Sequence, residues 1–305
     1  MPSRTVPSRT GRSAVRPAPA TPTNDRFRRL DPYRVAREFL RYEGTPQRDL
    51  FRILRERFLD RNAGSGPWAL DVGSGPLRFT SHVGSEGSHR VALDLSRTAL
   101  AFPRPSAPGD PGPIDRVRGN AVRPPFAPGR FGTVAVLGNS IGFAGGAGER
   151  LLDAASALTA PAGRLLLEIA PGPGEHSRYL ARLPPSAGAR LLRSPLGAVA
   201  PRIEREGFAR EPWRKRDPGT FRRWDVAGVS EYLAKRGWSV NETVAVAPVL
   251  GPLAERIAAV RGDPKSWGHL LELEEAIGRR SERWRDAASV LIATTAPGGG
   301  SHTLK

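Results

Sequence analysis

Cysteine is absent from the 305 residues. That excludes structural disulfides, Cys-ligated zinc, cysteine-held iron–sulfur clusters and thiolate nucleophiles. It also removes the usual indicator of redox compartment. Lysine is scarce, with four residues against 43 arginines. This Arg bias, beside much Ala, Gly and Pro, is the pattern that GC-rich coding gives, which makes the formal charge of +17 weak evidence about partners. The surplus still favours anionic partners through long-range steering. No window approaches 18 apolar residues, which excludes a membrane span. No apolar h-region opens the chain, which argues against secretion and makes a cytoplasmic location the expectation. The five histidines, His82, His89, His176, His269 and His302, lack metal-ligand spacing, so no metal site is expected.

Residues 1–24 contain Arg4, Arg9, Arg12 and Arg16, many Ser, Thr and Pro, and no acidic residue. Such a segment cannot build a core, and a disordered basic tail is expected over residues 1–28. An acid-poor, Arg-rich start also resembles a transit peptide, but its prolines break any amphipathic helix. A polar, Gly-rich flexible tail is expected over 298–305. One domain is expected between them, over 29–297.

Asp31-Pro32 and Thr45-Pro46 each pair an N-cap with proline at the first helical position. The first helix is expected to run to about Glu43. Leu50, Phe51, Leu54, Phe58 and Leu59 recur at helical spacing in the second. Short apolar runs then alternate with Gly- or Pro-bounded segments. Strands are expected at Trp68–Val72, Arg90–Leu95, Ile114–Arg118, Thr133–Leu137 and Arg164–Ile169, with a helix at Gly148–Leu158. Further strands are expected at Trp238–Val246 and Ala288–Thr294, flanking a long helical stretch, Pro252–Arg285. Alternating strands and helices imply a parallel α/β sheet.

The most informative stretch runs from Trp68 to Thr80. A buried strand leads directly into Gly73-Ser74-Gly75, where glycines permit a sharp turn and close ligand approach. Asp94 follows Gly73 by 21 residues, at the end of the next strand. A carboxylate there can accept from both hydroxyls of a ribose, each ionic hydrogen bond being worth about 1.5–3 kcal/mol. A dinucleotide fingerprint calls for a third glycine, and Arg78 stands at that position. Asp71, at the end of the first strand, would repel a pyrophosphate but attract an ammonium or sulfonium.

Leu70-Asp71-Val72-Gly73-Ser74-Gly75-Pro76 resembles motif I of the class I S-adenosylmethionine-dependent methyltransferases, and Asp94 matches that family's ribose acid. Gly119-Asn120-Ala121 with Pro124-Pro125-Phe126 resembles the segment that borders adenine, with Asn120 replacing the usual Asp. Gly163–Ile169 resembles the start of the family's fifth strand. Leu77 stands where the third motif-I glycine is usual, and Gly132 where strand 4 usually carries Asp. The resemblance implies a Rossmann-like three-layer α/β sandwich with a mostly parallel seven-stranded sheet of order 3-2-1-4-5-7-6. It further implies one antiparallel strand, helical cap insertions and S-adenosyl-L-methionine as cofactor. Asp71, Gly73, Ser74 and Gly75 would bind it at the first turn. Asp94 and Leu95, then Asn120 and Ala121, and finally Gly138 would complete the site.

In that family the loop after strand 4, here Leu137–Phe143, faces the transferred methyl. Asn139 and Ser140 are therefore candidates for orienting cofactor or substrate; equally, the loop reads as a glycine-rich turn with a left-handed Asn. His176, in Pro-Gly-Pro-Gly-Glu-His, is an acid/base candidate. Methyl transfer needs alignment more than proton transfer, so no triad is expected. Cap insertions are expected at about 171–223, with Tyr179, Trp213 and Phe221, and at about 250–285, with Trp267, His269 and Trp284. Aromatics with Arg suit planar or anionic acceptors, but Leu270, Leu271, Leu273, Ile277 and Trp284 also have the spacing of a packing stripe.

The expected activity is methyl transfer to a small-molecule acceptor. An RNA methyltransferase is the alternative, favoured by the charge. An NAD(P)-dependent oxidoreductase and a non-catalytic cofactor-binding scaffold are further alternatives. The oligomeric state is left open.

Overall fold

The computed structural model describes residues 28, 30–40, 44–103, 113–171, 208–210, 220–222, 224–248, 254–284, 287 and 289–298. The chain enters through helices α1 (Pro32–Phe39) and α2 (Pro46–Asn62). Both start where their caps require. The Asp31 carboxylate accepts from the Arg34 amide at 2.8 Å, and the Thr45 hydroxyl from the Arg48 amide at 3.3 Å. Helix α1 ends at Phe39, short of the expected Glu43; residues 41–43 lie outside the described residues.

The strands are β1 (Trp68–Val72), β2 (His89–Asp94), β3 (Ile114–Arg118), β4 (Phe131–Val136), β5 (Thr159–Ile169), β6 (Phe208–Arg210), β7 (Thr220–Arg222), β8 (Ser239–Ala245) and β9 (Val290–Thr295). Between them lie helices α3 (Arg97–Leu100), α4 (Ser140–Phe143), α5 (Gly148–Leu158), α6 (Val226–Ala234), α7 (Ala254–Arg261) and α8 (Pro264–Gly278). Strands β6 and β7 pair with each other. The other seven form one sheet, ordered β3-β2-β1-β4-β5-β9-β8. Neighbours from β3 to β5 are parallel, and β9 is antiparallel to both β5 and β8. Numbered within the sheet alone, the order is 3-2-1-4-5-7-6, as the resemblance implied.

Strand alternation divides the core between two faces. Leu70, Val72, Val134, Val136, Leu165 and Leu167 point to one, against α5 and α6. Ala69, Ala135, Leu137, Leu166, Leu291 and Ala293 point to the other, against α2, α7 and α8. Helix α2 contributes Leu50, Phe58 and Leu59, all fully buried, each side chain stabilising by about 1.5–3 kcal/mol on leaving water. The result is the three-layer Rossmann-like α/β sandwich.

Three expectations require correction. The stretch Pro252–Arg285, expected as one long helical stretch, is divided in its described part into two α-helices and a 3-10 turn at Ser281–Arg283. Helix α7 packs on α2, and α8 on α2 and β8. The break falls at Gly262-Asp263-Pro264, where the Asp263 carboxylate caps α8 by accepting from the Ser266 amide at 2.9 Å. The packing stripe of α8 is also rotated. Trp267, Leu270, Leu271 and Glu274 are buried, while Leu273 is 48 % exposed. Strand β5 begins at Thr159, before the expected Arg164, because the chain passes Ala162 at a left-handed φ of +58° and stays in the sheet through an irregularity opposite Phe131 and Thr133. Within the other expected insertion, 171–223, β6 and β7 are described; His176, Tyr179 and Trp213 lie outside the described residues.

Candidate functional site

Strands β1 to β5 run parallel, so their C-terminal ends share one edge of the sheet. The order reverses between β1, whose chain continues to β2 on one side, and β4, whose chain continues to β5 on the other. Such a switch point opens a crevice in an α/β sheet. The turn after β1, the end of β2, the segment after β3 and the loop after β4 all meet that edge. The sequence-derived site residues Asp71, Gly73, Ser74, Gly75, Asp94, Leu95, Asn120, Ala121, Gly138, Asn139 and Ser140 occupy these four places.

The turn after β1 depends on its glycines. Gly73 and Gly75 have φ of +69° and +54°, a region open to glycine and strained for other residues. The amides of Gly73 and Ser74 both donate to the Leu93 carbonyl, at 2.7 and 3.3 Å, drawing the turn against β2. Asp94 then fastens it: Oδ2 accepts from the Gly75 amide at 2.9 Å and Oδ1 from the Ser96 amide at 2.7 Å. Each carboxylate oxygen keeps acceptor capacity for a ligand hydroxyl. Burial raises the Asp94 pKa, opposed by the Ser96, Gly75 and Leu95 amides.

Leu77 stands where the resemblance places a third glycine, yet its φ is +62°, the conformation a glycine would adopt. The strain of about 1–2 kcal/mol is offset by packing, since its side chain is fully buried with Ala92 and Leu100. Arg78 points away from the turn. Its guanidinium lies 3.8 Å from the centre of the Phe39 ring and donates to the Phe39 carbonyl, tying α1 to the segment after the turn.

Asp71 is buried at the end of β1 on the α2 face, where the Thr80 hydroxyl donates to its Oδ2 at 2.6 Å. Burial pushes its pKa up to about 7; Thr80 works against the rise and the nearby Asp94 charge adds to it.

The loop after β4 places Gly138 and Asn139 in consecutive left-handed conformations, at φ +60° and +59°. The left-handed Asn of the turn reading is therefore present, at the crevice. The Ser140 hydroxyl donates to the Leu137 carbonyl at 2.7 Å. It also packs on the first turn so closely that a Cβ at Gly73 would lie 2.5 Å from it. The two loops thus interlock. The Gly138 amide donates to Oε2 of Glu168 at 2.9 Å. After β3, Oδ1 of Asn120 accepts from the Val122 amide at 3.0 Å, so its amide group is already half engaged in holding that turn.

The site fits a polar ligand. Among the described residues, a Cβ added at Gly75 or at Gly138 would meet no atom within 4 Å, so the described backbone is open on both sides of the crevice. The Ser74 Oγ and Asn139 Oδ1 atoms are buried and have no hydrogen-bond partner among the described residues, an arrangement that costs free energy unless another group completes it. Among the described residues no group of His, Asp and Glu has the arrangement of a metal site, and no helix is long and apolar enough to cross a membrane. His82 hydrogen-bonds Asp60 at 2.9 Å, and His89 stacks on Trp68.

No family model matches the sequence, and no curated protein matches it either. Solved structures do. A chain of the Haloferax volcanii complex between the Trm112 methyltransferase activator and a candidate methyltransferase superposes with a TM-score of 0.51 at 17 % identity, over 88 % of this chain and 97 % of that one. The chain has the class I S-adenosylmethionine-dependent methyltransferase fold. Similar structures at lower scores include magnesium protoporphyrin IX methyltransferase from Synechocystis PCC 6803 with bound SAH (TM-score 0.46, 12 % identity, 90 % and 97 % covered). Geranyl diphosphate C-methyltransferase from Streptomyces coelicolor A3(2) is another (0.42, 15 %, 79 % and 78 %). At these identities the likeness is one of fold. Within this methyltransferase fold the sequence-derived residues lie at the strand ends described above. The residues behind them that sequence reasoning missed are Arg55, Glu168 and Ser289. The one signal was a carboxylate inside the apolar run Leu165-Leu166-Leu167-Glu168-Ile169.

Proposed function

We propose that this chain is an S-adenosylmethionine-dependent methyltransferase acting on a small-molecule acceptor. The observation that carries the reading is the pair of carboxylates flanking the glycine turn. Asp94 is fastened to the turn with acceptor capacity to spare, and Asp71 is buried at the strand end before it. The first suits two ribose hydroxyls, and the second favours a cationic ligand and disfavours a pyrophosphate. Arg78, in place of the third glycine of a dinucleotide site and engaged with Phe39, also speaks against a nicotinamide cofactor.

When bound, S-adenosylmethionine supplies an electrophilic methyl together with its own leaving group. The chain binds and aligns. Asp94 holds the ribose, Gly73, Ser74 and Gly75 admit the ligand against the backbone, and Leu95, Asn120 and Ala121 border the adenine. Asp71 and Gly138 serve the amino-acid end. Asn139 and Ser140 lie on the loop that orients the acceptor, which must approach the methyl in line with the departing sulfur. The segment 171–223, between β5 and α6 in sequence, carries Tyr179, Trp213 and Phe221 among arginines, residue types that suit a planar or anionic acceptor. The net charge of +17 supports RNA as the second acceptor class.

Calorimetric titration with S-adenosylmethionine and S-adenosylhomocysteine, with NADH and NADPH as controls, tests the cofactor. Saturable binding of the first pair alone is expected; binding of NADH or NADPH alone overturns the reading. Methyl transfer to a small-molecule panel and to an RNA pool then separates the acceptors. RNA is marked by tight binding that weakens steeply with salt.

A further inference from the structure

We infer that the buried Arg55–Glu168 pair is a positioning device that sets the Gly138–Asn139 segment for cofactor binding, so that helix α2, outside the crevice, acts on the site. The inference rests on the cofactor reading proposed above.

Both side chains are buried, at 5 % and 1 % exposure, and the pair spans 113 residues of sequence. A buried ion pair is poor support for a fold, because desolvation offsets most of the attraction. An apolar pair of similar volume is often as stable or more so. What apolar groups cannot supply is direction. On Glu168, Oε1 accepts from Arg55 Nε at 3.2 Å, from Arg55 Nη2 at 2.6 Å and from the Ser289 hydroxyl at 2.5 Å. Oε2 accepts from the Gly138 amide at 2.9 Å. Arg55 is itself fixed by Nη1, which donates to the Phe51 carbonyl one helical turn earlier at 2.9 Å. Helix α2, strand β5 and the residue before β9 therefore converge on one carboxylate, whose remaining oxygen holds the amide of a crevice residue. Burial alone would raise the Glu168 pKa. Arg55, with Ser289 and Gly138, more than reverses this, so the group remains an anion.

The held amide opens the left-handed pair Gly138–Asn139. An Asn in this conformation persists where its surroundings specify it. With the Gly138 N–H pointed inward to Glu168, the segment's outer surface, open at Gly138, and the unpartnered Asn139 Oδ1 take one orientation. Ser140, next in sequence, locks on Gly73 and carries that orientation to the turn after β1. Arg55 and Glu168 act through Gly138 and need not touch the ligand.

The decisive variant is the double replacement Arg55→Met with Glu168→Leu, titrated with S-adenosylhomocysteine. The expected result is a variant that still unfolds cooperatively, with a melting temperature lowered by the unpaired Gly138 and Ser289 donors, and with affinity at least tenfold weaker. Arg55→Lys, which keeps the charge opposite Glu168 but loses the guanidinium fork, should fall between wild type and the double variant in affinity. Glu168→Gln provides a second route if the double variant folds poorly. Its amide nitrogen must face either the Gly138 amide or the Arg55 and Ser289 donors, and the affinity should again fall tenfold. A folded double variant, or Glu168→Gln, that binds as tightly as wild type overturns the inference and leaves the cofactor reading intact. Wild type that binds no S-adenosylhomocysteine removes the cofactor reading, and this inference with it. By amide exchange, the wild-type Gly138 N–H should be protected like the amides of β4; exchange at open-loop rates would also overturn the inference.

Discussion

The Gly75 amide donates a 2.9 Å hydrogen bond to Oδ2 of Asp94, so the acid at the end of β2 holds the very turn beside which its ligand would lie. Asp94→Ala therefore removes an acceptor and loosens the turn together. S-adenosylhomocysteine affinity should fall at least tenfold, the loss of one ionic hydrogen bond or more, while the fold persists. Calorimetry beside a thermal melt checks both parts. Unchanged affinity would show that the ribose is held elsewhere.

Asp71 makes stability pH-dependent in a defined direction. Its folded pKa of about 7 exceeds the ordinary aspartate value of 3.8, so the native state holds the proton more tightly than the unfolded chain. The associated stability is fully present below pH 4 and is lost as pH rises through 7, by about 4 kcal/mol at most. Denaturant unfolding at pH 4, 5.5 and 7 should show the decline, and Asp71→Asn should flatten it. A slope that survives the substitution would assign the titration to another group. Binding of a cationic ligand favours the ionised carboxylate, so affinity should strengthen across the same interval.

Gly73 and Gly75 share a backbone region but not an environment. Alanine at Gly75 meets empty space and should cost about 1–2 kcal/mol of stability through its φ, while the added methyl intrudes on the ligand and lowers affinity about tenfold or more. Alanine at Gly73 carries the same backbone strain and also collides with Ser140, so it should be the more destabilising. Ser140→Gly in that background should recover the collision's share and leave the backbone share. Equal melting temperatures for the two alanine variants would contradict the interlock.

Leu77→Gly sets two effects in opposition. Glycine relieves a left-handed strain of about 1–2 kcal/mol, but removes a fully buried side chain worth about 2–5 kcal/mol. Packing should prevail, leaving the variant about 1–3 kcal/mol less stable by chemical denaturation. A stabilised variant would mean that the residue is held there by strain alone.

Local chemistry made parts of the fold readable. Strand β1 ends where expected because apolar residues give way to Gly73, and α2 starts where Thr45 and Pro46 place it. The α7–α8 break was equally readable, since Gly262-Asp263-Pro264 carries its own cap, but the apolar spacing on both sides hid it. The start of β5 was obscured because Pro161 and Gly163 resemble a turn, whereas Ala162 accommodates the irregularity within the strand. Asp94 announced itself by its place after the glycine turn. Arg55 could not, because its purpose depends on a carboxylate 113 residues away, and in a helix with nine other polar or charged residues, four of them arginines, nothing distinguishes one arginine from the next. Leu77 shows the reverse case, a residue that departs from the expected pattern while its backbone keeps it.

The antiparallel strand that enters between β5 and β8 gives assembly an order. Strand β8 pairs with β9 and not with β5, so it has no place in the sheet until β9 arrives. Ser289, immediately before that strand, reaches Glu168 at the same stage. During synthesis the glycine turn and its acid can form early from β1 and β2. The rear support of the opposite loop is completed only when residues 289–295 have emerged, after β1 to β8, and a ribosome stalled before residue 289 would carry one half of the crevice without the other half's full bracing.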